Sequence, residues 1–333
     1  MATGATIFGC SGPRLTQDEA AFFRQADPWG FILFARNVED AGQVAALTAD
    51  LRASLGRDAP VLVDQEGGRV QRLRPPVWRD WPPALTQAAA TGPRGMYLRG
   101  RIMAAELRAI GIDVNCAPLA DIAGPRTHPF LHNRCYGTDM AMVVAAARAM
   151  ANGLLAGGVL PVLKHIPGHG RAQVDSHIHL PRVNASAADL RAEDFAAFAA
   201  LADLPMGMTA HIVFEAFDAA CPATQSPAML DLIRDEIGFD GLIMTDDLSM
   251  QALAGSMADR ACASRAAGCD VILHCNGAMD EMQAVAAAAG ALDGQAAIRA
   301  AAALDARHAP DGADVPALAD ELAGLMAGAG ADV

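Results

Sequence analysis

Short apolar runs bounded by turn residues recur along the whole chain. They are TIFGC (6–10), GFILFA (30–35), PVLVDQ (60–65), IDVNCAP (112–118), LPVLKH (160–165), MGMTAH (206–211), GLIMTDD (241–247) and DVILHCN (270–276). Each is too short for a helix. Most are apolar on consecutive positions rather than alternating, the pattern of parallel strands covered on both faces. Between them the apolar spacing turns helical, at 39–56, 99–111, 139–158, 188–202 and 226–239. The last opens on Ser226 as N-cap with Pro227 in the first turn, and Gly238 closes it. Eight strands alternating with helices predict a (β/α)8 TIM barrel. An open doubly wound sheet is the alternative, but no G-x-G-x-x-G follows the first strand.

Composition narrows the picture. The 333 residues are 53% apolar, enough for a large core, and no composition shift marks a second domain. The expected organisation is a single catalytic domain, 1–333, with 277–333 as an alanine-rich helical part on the outside. The formal net charge of −13, with no basic run to offset it, argues against nucleic acid and anionic lipid as partners. The opening MATGATIFGCSGPRL has no basic n-region or long apolar h-region, and no run suggests a membrane span. Seven scattered cysteines without a C-x-x-C fit reduced thiols and a cytoplasmic location. Cys10, Cys116, Cys269 and Cys275 sit in apolar runs and read as core packing.

The C-terminal ends of the runs carry the chemistry: Asp64-Gln65-Glu66, Asn115 with Asp121 beyond it, Lys164-His165, His211, Asp246-Asp247, and His274-Cys275-Asn276. A barrel gathers these ends on one face, where its active site lies. Polarity at a strand end is ordinary; acids, a lysine and histidines on five of them are not. Lys164 is the only lysine in the chain, and four of the nine histidines (His165, His169, His177, His179) lie in the same stretch, LPVLKHIPGHGRAQVDSHIHLP. Two segments, 66–96 and 165–186, are long for connections in a compact domain, which favours a functional role. Within the second, Asp175 precedes His177 by two residues, and in a turn the pair can hydrogen-bond and stabilise the charged ring.

LKHIPGHGRAQVDSHIHLP resembles the K-H-F-P-G-H-G…D-S-H…L-P signature of family 3 glycoside hydrolases of the β-N-acetylhexosaminidase type. GLIMTDDLSM is similar to that family's nucleophile strand, VLVDQEGGRVQRLR to its substrate-binding third strand, and NRCYGTD to its R-S-F-G-x-D segment. The matches come in the family's order across residues 61–250. Ile166 replaces the usual aromatic, Arg171-Ala172 a common Asp-Thr, and Cys135-Tyr136 a Ser-Phe. The resemblance implies that Asp246 is the nucleophile and His177 the general acid/base, with Asp175 as its partner. It implies that Asp64, Arg72, Arg134, Lys164 and His165 bind N-acetylglucosamine. Asp247 is expected to be structural. No metal and no cofactor are expected. The implied substrate is a muropeptide-like disaccharide, N-acetylglucosamine on anhydro-N-acetylmuramic acid with or without peptide, met in cytoplasmic cell-wall recycling.

A histidine suits the second catalytic role, because imidazole ionises near neutral pH without the tuning that a carboxylic acid needs. Phosphorolysis is an alternative to hydrolysis, since a histidine repels phosphate less than a carboxylate does. Two rival classes share some residue types. Metal-dependent barrel amidohydrolases use an H-x-H, a lysine and an aspartate, and His177, His179, His211, Lys164 and Asp246 supply them. In those enzymes, however, the H-x-H ends the first strand, and here it lies after the fifth. A sugar-binding barrel without catalysis is the other, against which the intact Asp246, Asp175 and His177 stand.

Overall fold

The computed structural model describes residues 2–176 and 178–330. Eight strands make the barrel: β1 Gly4–Gly9, β2 Pro28–Leu33, β3 Val61–Val63, β4 Val114–Asn115, β5 Leu160–Ile166, β6 Met206–Thr209, β7 Leu242–Met244 and β8 Ile272–His274. Each coincides with one of the eight apolar runs. All neighbours pair in parallel, in sequence order around the ring, with β8 returning to β1. A single parallel bridge, Met244 to Val271, closes the gap between β7 and β8. The (β/α)8 barrel is therefore the fold.

The continuous apolar runs follow from strand geometry. Successive side chains point to opposite faces, so Ile7, Ile32, Leu62 and Val162 fill the barrel interior. Their neighbours Phe8, Phe31, Leu33, Val61, Val63 and Leu163 pack against the outer helices. Both faces are dry, and a run that must satisfy both cannot alternate. Cys10, Cys116, Cys269 and Cys275 are buried, and all seven cysteines are free thiols.

The N-terminal ends of the strands carry structural charge. Asp113, just before β4, pairs with Arg307 at 2.9 Å and Arg52 at 3.2 Å. Asp270, just before β8, pairs with Arg234 at 2.6 Å and Arg299 at 3.4 Å. Each aspartate also accepts a strand N–H, from Val61 or Ile243. The three helices of the region after 277 are Met279–Ala289, Gly294–Asp305 and Val315–Gly330. Arg299 and Arg307, from this region, therefore clip it to the bottom of the barrel. Among the described residues no helix is long and apolar enough to cross a membrane.

Several helix boundaries differ from the sequence pattern. The helix expected from 99 begins at Ala84 and ends at Arg108; Gly92, at φ 59° and ψ −161°, kinks it just before Pro93. The connection after β3 is correspondingly shorter. It is partly ordered by an antiparallel pair, Gln65–Gly67 with Val70–Gln71. The helix expected over 188–202 is two, Ala187–Ala192 and Asp194–Ala199, separated at Glu193. The break lets Glu193 and Asp194 both pair with Arg171 of the long loop. Ser226 does cap its helix, which ends at Asp235, and Gly238 turns the chain afterwards at φ 78°.

Helices Ala84–Arg108 and Met140–Ala156 meet backbone to backbone. A Cβ on Gly153 would stand 2.2 Å from the Tyr97 carbonyl oxygen, and one on Gly100 2.4 Å from that of Met150. Gly324, on the outermost helix, meets nothing within 4 Å. Gly153→Val is expected to cost about 1–3 kcal/mol by forcing these helices apart. Gly324→Ala is expected to be neutral or to stabilise by up to about 1 kcal/mol. Urea unfolding midpoints of the two variants check both signs.

Candidate active site

The C-terminal strand ends enclose a cavity of about 360 Å³. Its floor is a lattice of paired charges. Lys164, at the end of β5, is buried and reaches across the barrel to Asp64 Oδ1 at 3.1 Å and Glu66 Oε1 at 2.6 Å. Arg72 donates to Asp64 Oδ2 at 3.0 Å. Arg134 holds Glu66 with both prongs of its fork, Nε and Nη2 each at 2.8 Å. Asp64 and Glu66 share a face because they are two positions apart on an extended segment. Arg99, buried behind them, donates to the Glu66 carbonyl and to that of Pro82.

Burial alone would raise both carboxyls. The cations more than offset it: Arg134 and Lys164 hold Glu66 at about 2, and Lys164 and Arg72 hold Asp64 well below the usual range. Burial would likewise lower Lys164, but Asp64 and Glu66 keep it above its ordinary value and fully charged. Two acids and three cations thus remain ionised together.

Asp246 follows β7 and lines the same cavity. Its Oδ1 accepts the Asp247 N–H at 2.8 Å. Burial would push its carboxyl up, but His165, His211 and that N–H bring it below its ordinary value. Asp247 is committed elsewhere. Its Oδ1 accepts the N–H groups of Ser249 and Cys275, and its Oδ2 the Ser249 hydroxyl. That is the structural role expected for it. His211 is buried, and burial lowers its ring, opposed by the Asp246 charge. Its Nε2 donates to the Asp247 carbonyl at 3.1 Å, and its Nδ1 lies 2.8 Å from the Thr224 hydroxyl, which itself donates to the Ala210 carbonyl.

His165 lies beside Lys164 and also lines the cavity. Its Nδ1 donates to Asp121 Oδ2 at 2.7 Å, which leaves Nε2 for whatever the cavity holds. Asp121 also accepts the His169 N–H at 2.6 Å. Burial and the neighbouring His165 lower His169 to about 4, a neutral ring. His169 Nε2 meets Ser176 Oγ at 3.2 Å. Ser176 is buried although Gln173, Val174 and Asp175 before it are exposed or half-exposed, so this contact pins the long loop to the cavity wall. Asp175, half-buried, begins a tight turn: its carbonyl accepts the N–H groups of Ile178 at 3.0 Å and His179 at 2.9 Å. His177 lies outside the described residues.

The structure therefore gathers Asp64, Arg72, Arg134, Lys164, His165 and Asp246 around one cavity, with Asp175 on the adjoining loop. Sequence reading assigned no role to Glu66, Asp121 or His169. Glu66 was detectable, standing two residues after Asp64 in the same extended run. Asp121 and His169 lie in irregular segments, where no periodicity reports which way a side chain points.

Residues 9–304 match the glycosyl hydrolase family 3 N-terminal domain. The chain belongs to that family. A β-hexosaminidase of Methylococcus capsulatus is 40% identical over 278 residues, 81% of this chain and 82% of that protein. One from Bordetella avium is 34% identical over 290 residues, 82% and 81% of the two chains. Among solved structures, NagZ from Neisseria gonorrhoeae in complex with N-trifluoroacetyl-D-glucosamine superposes with a TM-score of 0.87. It is 29% identical and covers 98% of this chain and 99% of its own. As a family 3 member the protein is a glycoside hydrolase.

The charge lattice makes stability depend on pH. Glu66 falls from its ordinary value near 4.5 to about 2 on folding. Its contribution, on the order of 3 kcal/mol, is present above pH ~4.5 and lost as pH falls through ~2. Asp64, depressed as well, acts in the same direction. Urea unfolding of wild type between pH ~5 and ~2 is expected to show this loss. Glu66→Gln is expected to be less stable at pH ~6 and to flatten the acid limb.

Proposed function

We propose that the protein is a retaining exo-β-N-acetylglucosaminidase with Asp246 as nucleophile. One observation carries the assignment. Among the described residues, Asp246 is the carboxylate of the cavity that makes no ion pair and accepts a single hydrogen bond. Asp64 and Glu66 each bind two cations, and Asp247 is tied to Ser249 and Cys275. A free lone pair on a desolvated carboxylate is what attack on an anomeric carbon requires.

The reaction runs in two displacements. Asp246 Oδ bonds to C1 while the C1–O bond to the leaving sugar breaks. The imidazolium of His177 gives that oxygen its proton, and Asp175 favours the charged ring. Neutral His177 then takes a proton from water, the resulting oxygen bonds to C1, and the ester to Asp246 breaks. Two inversions give retention. Asp64, Arg72, Arg134, Lys164 and His165 hold the N-acetylglucosamine unit, presenting fixed donors and acceptors to its hydroxyls and amide. The names of the relatives support this glycone, as does the N-acylglucosamine in the Neisseria structure. The substrate is a peptidoglycan fragment, N-acetylglucosamine on anhydro-N-acetylmuramic acid with or without peptide, processed in the cytoplasm. Residues 1–333 act as one catalytic domain, with 277–333 as its helical flank.

Release of nitrophenol from para-nitrophenyl N-acetyl-β-glucosaminide tests this. Wild type is expected to be active and unaffected by chelator. Asp246→Ala should lose about 10³-fold or more, and a fluorosugar analogue should label Asp246. Loss of activity with chelator, or a fully active Asp246→Ala, would sink the assignment. Lys164→Arg is a second test. A planar fork cannot reproduce the contacts of a compact ammonium to Asp64 and Glu66. Activity should fall about 100-fold, far more than the accompanying loss of stability explains, and near-normal kcat/KM in the folded variant would contradict the role given to Lys164.

A further inference from the structure

The cations of the cavity differ in what holds them. Lys164, Arg72 and Arg134 are committed to Asp64 and Glu66. Arg69 makes no ion pair among the described residues. Arg36 makes none either, but it is tied at Nε and Nη2 to the carbonyls of Cys10 and Cys275, which leaves Arg69 the less committed of the two. The one side-chain hydrogen bond of Arg69 runs from Nη1 to the Phe130 carbonyl at 2.6 Å, and its guanidinium carbon lies 5.9 Å from the centre of the Phe130 ring. Four of its five N–H donors remain available, on an exposed side chain that lines the cavity.

Arg69 is held there by backbone geometry. It stands in the turn joining Gln65–Gly67 to Val70–Gln71. Gly67 and Gly68 enter that turn at φ 107° and 57°. A Cβ on Gly67 would meet the Arg99 guanidinium at 1.9 Å. The turn is therefore fixed in both shape and sequence.

Its position relative to the chemistry follows from contacts. Phe130 packs edge-on against His169, with ring centres 5.6 Å apart, and His169 meets Ser176. Arg69, Phe130 and Ser176 follow β3, β4 and β5, which are neighbours in the ring, whereas Asp246 follows β7. Arg69 thus belongs to the wall shared with the Asp175–Ser176 loop. Granting the assignment made above for Asp246 and that loop, this is the wall beside the departing group. The chain as a whole carries −13 and repels an anion, so an acidic leaving group requires a local cation.

We propose that Arg69 recognises a carboxylate on the leaving sugar and is the residue that selects acidic aglycones. The test compares two disaccharides with the same glycone. One is chitobiose. The other is N-acetylglucosaminyl-N-acetylmuramic acid, which differs by a lactyl carboxylate. In Arg69→Gln the ratio of kcat/KM for the acidic over the neutral substrate is expected to fall about tenfold, the worth of a hydrogen bond to a charged group. Arg69→Lys should recover part of it. Arg74, an exposed cation on the same loop, is the control. An unchanged ratio in Arg69→Gln would overturn the proposal. So would an equal fall in Arg74→Gln, which would mean that only the general field matters. Failure of the parent assignment looks different: wild type would then cleave neither disaccharide.

Discussion

The site depends on one buried ammonium. Lys164 stands between Asp64 and Glu66 and, together with Arg72 and Arg134, holds both buried carboxyls below their ordinary range. Removing several charges from water costs several kcal/mol each, and only close, mutually saturating pairs return it. The lattice of Asp64, Glu66, Arg72, Arg134 and Lys164 carries one excess positive charge. Asp246 supplies the balancing negative one without touching any of them, and the nearby Lys164 is among the groups that keep it ionised. Over these six groups the formal charge is zero, while Asp246, the proposed nucleophile, remains unpaired. A salt bridge to Asp246 would give the same neutrality and remove the reactivity.

The scaffold separates this arrangement from the demands of folding. Acids at the N-terminal strand ends, Asp113 and Asp270, are saturated by arginines and strand N–H groups and have nothing left to offer. Acids at the opposite ends face a cavity instead of a helix. The difference lies in what surrounds the carboxylate, because the same residue type at the two ends of a parallel strand meets opposite environments. Asp247 shows the same contrast at a distance of one residue. It terminates the turn after β7 with three hydrogen bonds, while Asp246 beside it accepts one.

The barrel was legible in the sequence because a strand buried on two faces leaves a run that few other structures produce. All eight strands lie on such runs. The helices were less legible where a breaker had to be weighed without its surroundings. Gly92-Pro93 interrupts a helix that nonetheless continues, and Glu193 ends one that composition would have continued. Of the site, the residues at strand ends were visible from position and resemblance together. The lysine gained weight from being alone in a chain that otherwise uses arginine. Glu66, Asp121 and His169 stood among the noted polar residues but received no role, because their importance is relational. Glu66 matters as the second acid on Lys164, Asp121 as the anchor of His165, and His169 as a contact to Ser176. None of these pairings has a signature within the chain, since the partners come from different strands or from opposite ends of an irregular loop.

The histidines crowded around Lys164 are not interchangeable. His169 is held neutral by burial and by His165, and a neutral ring can meet a serine hydroxyl without bringing another cation to a floor that already has an excess. His165, tied through Nδ1 to Asp121, keeps its orientation whatever binds above it. His179 is exposed. Asp121 serves both His165 and the backbone of His169, so the cavity-facing ring and the anchor of the loop share one carboxylate. A substrate that displaces His165 must therefore strain the contacts at Asp121 and, through His169, those of Ser176. The floor of the cavity and the loop above it are parts of one hydrogen-bonded unit, which is why K-H and G-H-G stand so close together in the chain.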